Sequence, residues 1–289
     1  MYNNFVFKSP EAEAEFKAAY DATLSLFPVK YETRFVTTEF GDTHVISCGD
    51  EANPPLILLH GMNVSSTMWY PNVEALSQKY RVYAVDIMSD SNRSMPSKRI
   101  SKKSEYMKWL DETLDKLGIE SANLAGHSFG GWKSLHYALH APQRVRKLVM
   151  CAPGWFTGMS LYFVLRASFS ALFCTRQRIK DFTAWTTYDF SNIDERFVEQ
   201  FYLSFKNTRL RKLAIIPTVP KDDELRKLSV PTMLLVGEQE VIYKGQKAYD
   251  RAVRLIPNVK AEIIPQSSHC FTLEKPDEIN RLILDFLVA

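Results

Sequence analysis

Ala122-Asn123-Leu124-Ala125-Gly126-His127-Ser128-Phe129-Gly130-Gly131 decides how this chain reads. A short apolar run, 122–125, has the character of a buried strand, and a helix is predicted over 129–140 with apolar residues at helical spacing. Ser128 stands where one gives way to the other. A sharp strand-to-helix turn holds its central residue in a strained backbone with the side chain exposed, and small residues two positions either side avoid a clash across the turn. The helix that starts there brings unpaired amides and the positive end of its dipole to the serine. Ser128 is therefore a candidate nucleophile, and the competing reading is a glycine-rich packing turn with an incidental serine.

Outward from that stretch the same alternation repeats. Short continuous apolar runs occur at Leu56–Leu59, Val82–Val85, Leu148–Met150, Met233–Val236 and Ala261–Ile264, the pattern of strands covered on both faces of a parallel sheet. Helical stretches are predicted at about 66–79, 101–117, 129–140, 244–256 and 276–288. Strands alternating with helices make βαβ units, so the fold class is α/β, with helices on both faces of the sheet. Residues 9–27 are predicted as an N-terminal helix: Ser9 caps it, Pro10 opens it and Pro28 ends it. Phe35–Thr38 and His44–Ser47 flank Gly41-Asp42 as a hairpin. The rhythm fails only between Met150 and Met233. That segment is crowded with aromatic residues, from Trp155 and Phe156 to Phe205, and reads as a helical insertion whose aromatics are mostly its own core. Lys221–Lys227 is expected as a solvated return segment.

A nucleophilic serine needs a base, and the base needs an anionic partner on its other nitrogen. Of the six histidines, His269 follows the last apolar run, at a strand end from which a loop can carry an imidazole over Ser128. His127 is expected to point away from the serine. His136 and His140 share a helix face at i, i+4, a spacing that could hold a metal, but no third ligand is evident. Glu240 follows the run 233–236 and is the preferred acid; Glu238, two residues earlier, competes. His60-Gly61-Met62-Asn63 follows the run 56–59. There Gly61 permits a turn that directs amides inward, so the backbone N–H groups of Met62 and Phe129 are the candidate oxyanion donors, with His60, Gly61, Gly126 and Gly130 as supports.

Composition excludes several classes. The chain has 289 residues, 46% hydrophobic and 24% charged, with a formal net charge of +3. That charge is too small to argue for a nucleic-acid or anionic-membrane partner. Cys48, Cys151, Cys174 and Cys270 match no zinc spacing, and four free thiols favour a reducing compartment. No signal peptide is read in the first residues, and the most apolar stretch, Leu161–Cys174, is short of the ~20 residues that a membrane span needs. The expectation is a cytoplasmic protein without integral membrane contact. The basic residues Lys98, Arg99, Lys102 and Lys103 read as a solvated helix face.

His60-Gly61-Met62, Gly126–Gly131, Gly237 with Glu240, and Ser268-His269 followed by Glu274-Lys275-Pro276 resemble the α/β-hydrolase superfamily in its capped, serine esterase-like branch. The motifs cover roughly residues 31–154 and 229–289. The resemblance implies a mostly parallel eight-stranded sheet whose second strand is antiparallel, and a helical cap after strand 6. It also implies no cofactor. The domains then read as a core of residues 1–154 and 229–289, with 1–30 as a helical extension, and a cap of 155–228. It further implies a serine hydrolase that cleaves a carboxylic ester of a small or medium apolar substrate through an acyl-enzyme; the oligomeric state, monomer or homodimer, stays open. C–C, thioester or lactone hydrolysis with the same residues, or a non-catalytic receptor that keeps them, are the alternatives. The chain departs from the family's usual pattern at Glu240 (commonly aspartate), at Ser268 (commonly glycine) and in the loop Asp86–Ser94. A nucleophilic serine in place of aspartate argues against the haloalkane dehalogenase and epoxide hydrolase branches.

Overall fold

The computed structural model describes residues 5–209, 215 and 217–289. Residues 1–4 of the expected extension, and 210–214 and 216 of the expected insertion, lie outside the described residues. The chain opens with helix α1 (Pro10–Leu24), where the Ser9 hydroxyl accepts the Ala12 amide. It is shorter than the predicted 9–27 because Leu26 and Phe27 bond back over only three residues ahead of Pro28, whose ring disfavours the α conformation just before it. The strands β1 (Tyr31–Thr38) and β2 (Gly41–Cys48) pair as a hairpin. β3 (Pro55–Leu59) follows. The predicted helix 66–79 is a 3-10 turn, Ser66–Trp69, and a separate α2 (Val73–Ser77). Pro71 separates them, since it has no amide to continue the first.

β4 (Arg81–Val85), the two-residue β5 (Met95–Pro96), α3 (Lys103–Lys116), β6 (Ala122–His127), α4 (Phe129–His140) and β7 (Val145–Cys151) complete the first half. Between β7 and β8 (Thr232–Gly237) lie α5 (Leu161–Leu172), α6 (Arg176–Trp185), α7 (Glu195–Lys206) and α8 (Asp222–Arg226). The chain closes with α9 (Gly245–Leu255), β9 (Val259–Ile264), α10 (Phe271–Glu274) and α11 (Pro276–Val288).

One sheet runs in the order β1-β2-β4-β3-β6-β7-β8-β9, with β5 pairing the start of β2. The eight expected strands form the continuous path, and β5 is a ninth that the sequence did not announce. β2 is antiparallel to β1 and β4, and every later neighbour along the path is parallel. Side chains alternate between faces along a strand, which is why the apolar runs are continuous. Ile57 and Leu59 face α3 and α9, whereas Leu56 and Leu58 face α1, α2 and α11. The sheet is thus sealed on both sides, and the carboxyl ends of its parallel strands are where loops are free to build a site.

The stretch expected as a solvated return holds a helix instead. α8 is capped by Glu224, which accepts the Lys221 amide, and is tied to α9 by Asp222 and Arg251. The insertion's aromatics divide. Phe163, Phe182, Trp185 and Phe201 stack among themselves, but Tyr162, Phe169 and Phe173 are exposed, as is the neighbouring Leu161. α7 packs on α1: Thr23 donates to the Arg196 carbonyl, and Asn207 to the Ala12 carbonyl and to Glu15.

Candidate active site

Ser128 sits between β6 and α4 with φ +52° and ψ −114°. A positive φ on a non-glycine residue costs roughly 1–3 kcal/mol, so the surroundings must enforce it. They do so with three backbone hydrogen bonds. The Ser128 amide donates to the Cys151 carbonyl at 2.9 Å, and the Ser128 carbonyl accepts from Trp132 and Gly154 at 3.0 and 2.9 Å. The glycines are required by contact. A Cβ on Gly126 would stand 2.4 Å from the Gly130 carbonyl oxygen, and one on Gly130 only 2.1 Å from that of Leu59. Ser128 is partly exposed while residues 122–127 and 129–138 are buried. The amides of Phe129, Gly130 and Gly131 precede the first ladder bond of α4, so they are free to meet negative charge there.

The loop after β3 lies against this turn. A Cβ on Gly61 would be 3.5 Å from both the Ser128 Cβ and the His127 ring. His60 is fully buried, and burial holds its pKa below the usual value. Its Nε2 accepts the Ile87 amide at 2.9 Å, so the ring proton sits on Nδ1 and is donated to the Gly61 carbonyl at 2.7 Å. The N–H and C=O of a trans peptide point opposite ways. Anchoring the Gly61 carbonyl on His60 therefore turns the Met62 amide away from His60.

His269 and Glu240 meet at the other strand ends. Nδ1 of His269 is 2.9 Å from Oε2 of Glu240, both side chains are buried, and Oε1 of Glu240 accepts the Ile242 amide. Glu238 turns elsewhere and accepts the Gln266 amide. The two loops are locked together: Gln239 donates to Ser267, the Ser268 hydroxyl donates to the Gln239 carbonyl, and a Cβ on Gly237 would stand 2.3 Å from the Ser268 carbonyl oxygen. Ser268, where the family commonly has glycine, is accommodated by that hydroxyl bond.

The remaining histidines have other roles. His127 does not simply point away; its ring packs 5.0 Å from that of His269, and burial holds its pKa well below the usual value, so it stays neutral. His136 is bonded to Lys103 and pushed down to about 4 by burial and that cation, while His140 faces Asp111. Among the described residues no cluster of three or more metal-ligating side chains occurs.

Sequence reasoning missed several positioning groups. Glu274 accepts the Ser268 amide on one oxygen and the Tyr188 and Asp189 amides on the other, joining the His269 loop to the insertion. Gln200 on α7 bonds Thr67 and Ser65 in the loop that follows the Gly61 turn. Asp86 accepts from Ser66, from the Arg93 amide and from His44. Burial alone would raise its pKa, but the His44 imidazole and the hydrogen bonds hold it down to about 2. The quoted motif around Glu274 was the only sequence signal among these. The others are buried polar residues on otherwise ordinary segments.

A family model of the alpha/beta hydrolase fold matches residues 54–276. The chain is 35% identical to carboxylesterase YbfK of Bacillus subtilis, over 99% of this chain and 98% of that one. It is 36% identical to the carboxylesterase nap of the same organism, over 93% and 91%. Among solved structures, carboxylesterase CesB (YbfK) superposes with a TM-score of 0.90 over 96% and 98% of the two chains, at 35% identity. The naproxen esterase (carboxylesterase NP) of B. subtilis does so with 0.91 over 97% and 99%, also at 35% identity.

Proposed function

The chain belongs to the α/β-hydrolase fold family, and from that premise we propose that it is a carboxylesterase acting through an acyl-enzyme on Ser128. The observation that carries the reading is the His269–Glu240 pair, buried at 2.9 Å at the ends of the last two strands, with Ser128 held at φ +52° at the end of β6. Nε2 of His269 takes the Ser128 hydroxyl proton as the oxygen attacks the ester carbonyl. The amides of Phe129 and Met62 hold the oxyanion. His269 returns the proton to the leaving alcohol, then deprotonates the water that releases the acid. Glu240 keeps the proton of His269 on Nδ1 and stabilises the imidazolium.

We propose an ester of a small or medium apolar substrate, in keeping with relatives that are carboxylesterases. Phe129 stacks on Trp132, and Trp155 meets Phe129 edge-on 5.5 Å away. Phe129 and Trp132 are buried, and Trp155 alone of the three is partly exposed. Residues 155–228 serve as the cap, anchored through Glu274 and Gln200 to the loops of the site. The four cysteines are unpaired, which supports a reducing, cytoplasmic setting.

The test is fluorophosphonate labelling with peptide mapping, run beside a panel of dissolved p-nitrophenyl esters, thioesters and lactones. Labelling at Ser128 with fastest turnover of esters is expected. A label on Ser128 without turnover of any ester would leave a receptor that keeps the constellation, and faster lactone or thioester turnover would move the substrate class.

A further inference from the structure

Among the described helices of eight or more residues, α5 buries the fewest side chains. Only Ser170 of its twelve residues is buried. At 100° per residue, Leu161, Leu172, Leu165, Phe169, Tyr162 and the following Phe173 share one half of its circumference, and they are 73%, 68%, 60%, 53%, 60% and 51% exposed. Ser168 and Arg166 flank this arc, one at each edge. Exposed apolar residues are ordinary when scattered, but a contiguous face of this kind marks a contact surface.

Charge says what kind. The stretch from Leu161 to Lys180 holds Arg166, Arg176, Arg178 and Lys180 and no acidic residue. Arg166 lies over the Trp185 ring and Arg178 over Phe169, so both cations border the apolar face directly. Arg176 and Lys180 are met by Glu199 and Glu195 from α7. A second copy docking through the same face about a two-fold axis would gather Arg166 and Arg178 of both copies at one interface, with no acidic residue on this stretch to balance them. An anionic lipid surface instead takes both features at once, acyl chains against the leucines and phenylalanines and head groups against the arginines. No helix among the described residues is long and apolar enough to cross a membrane, so the contact lies in the plane of the surface.

We propose that α5 is a peripheral docking face for an anionic phospholipid surface. Its position links that contact to the site: the Ser160 amide, at the start of α5, donates to the Ile242 carbonyl, and the Ile242 amide bonds Glu240. A surface engaged by α5 therefore lies beside the loop that carries the acid. The docking itself does not depend on the esterase reading, because it is read without turnover.

The experiment is co-sedimentation of the full chain with phosphatidylcholine vesicles with and without phosphatidylglycerol, alongside the double variant Leu165→Glu/Phe169→Glu. Binding to the anionic vesicles, weakened by salt and reduced at least about tenfold in the variant, is expected. Circular dichroism and hydrolysis of a dissolved ester verify that the variant is folded, since both positions are exposed. Equal sedimentation of variant and parent, or no binding to anionic vesicles, overturns the proposal. A parent dimer in gel filtration that the variant dissociates, with no vesicle binding, assigns the face to a second copy.

Discussion

The turn from Gly126 to Gly131 and the helix α5 are opposite solutions for placing side chains. In the turn almost every atom is fixed by a neighbour: two glycines cannot accept a Cβ, and three backbone hydrogen bonds hold Ser128 at a positive φ. On α5 five apolar side chains of the exposed half, with Phe173 just after them, touch mostly solvent. Position is over-determined where bond-making geometry is needed and undetermined where a surface is to be met. Substitutions in the two regions should differ in kind as well as size.

The largest effect belongs to the atom that the turn presents. Ser128→Ala should lower kcat on the order of 10⁶-fold, leaving the residual rate of the oxyanion donors and binding; steady-state kinetics on a p-nitrophenyl ester reads it. An unchanged rate would end the assignment of the nucleophile. Next is the acid. Glu240→Gln keeps the shape of the pair but no longer balances the imidazolium, and kcat should fall by roughly 10⁴. Glu238→Gln, whose carboxylate accepts the Gln266 amide, should change kcat by less than about threefold. The reverse ranking would move the acid two residues earlier in the chain.

A third contrast sets the two regions side by side in stability. In Gly130→Ala the new methyl would meet the Leu59 carbonyl oxygen at 2.1 Å and that of His60 at 2.6 Å. Both are buried backbone, at the end of β3 and just beyond it, and cannot yield cheaply, so urea unfolding should show a loss of about 3 kcal/mol or more. Leu165→Ser on α5 should stay within about 0.5 kcal/mol, as exposed positions do. A large loss at Leu165 would show that the face is packed rather than open.

The same difference explains what could be read from the residues alone. The strands were legible because two-sided burial writes an unbroken apolar run, as at Leu56–Leu59. Ser128 was legible because glycine is the only residue that fits at positions 126 and 130. Glu240 over Glu238 was a judgement of loop position; in the fold it rests on which carboxylate faces His269 and which turns back to Gln266. Glu274, Gln200 and Asp86 were illegible as a group, since each works by meeting backbone or side-chain groups far away in sequence, and no local pattern encodes those meetings. α5 was legible as part of an aromatic helical insertion but not as an exposed face, because composition does not say whether anything lies opposite a helix.

A smaller gain than the Gly130→Ala loss tests how far the constraint of the turn extends along α4. Lys133 follows Phe129 by one helical turn, and its ammonium lies 3.6 Å above the Phe129 ring and 4.5 Å above that of Tyr106. The charged and titratable groups facing it are Asp90 from the loop after β4, Tyr106 from α3 and His60 after β3. Burial brings its pKa from the ordinary 10.5 to about 7, against the pull of Asp90. A lysine lowered in the folded state means that the unfolded chain binds more protons between those two values, so its charge burdens the fold most below pH 7 and the burden lifts as pH rises toward 10.5. Lys133→Met keeps the length of the side chain and removes the charge. It should raise the unfolding free energy at pH 7 by roughly 1–2 kcal/mol, and the gain should shrink steadily as urea titrations are repeated at higher pH. A gain that is flat across that range would mean the ammonium is already at ease in its aromatic seat. A loss at pH 7 would mean that the cation over Phe129 holds the turn together, and that the constraint on Ser128 extends a full turn further than its backbone contacts alone require.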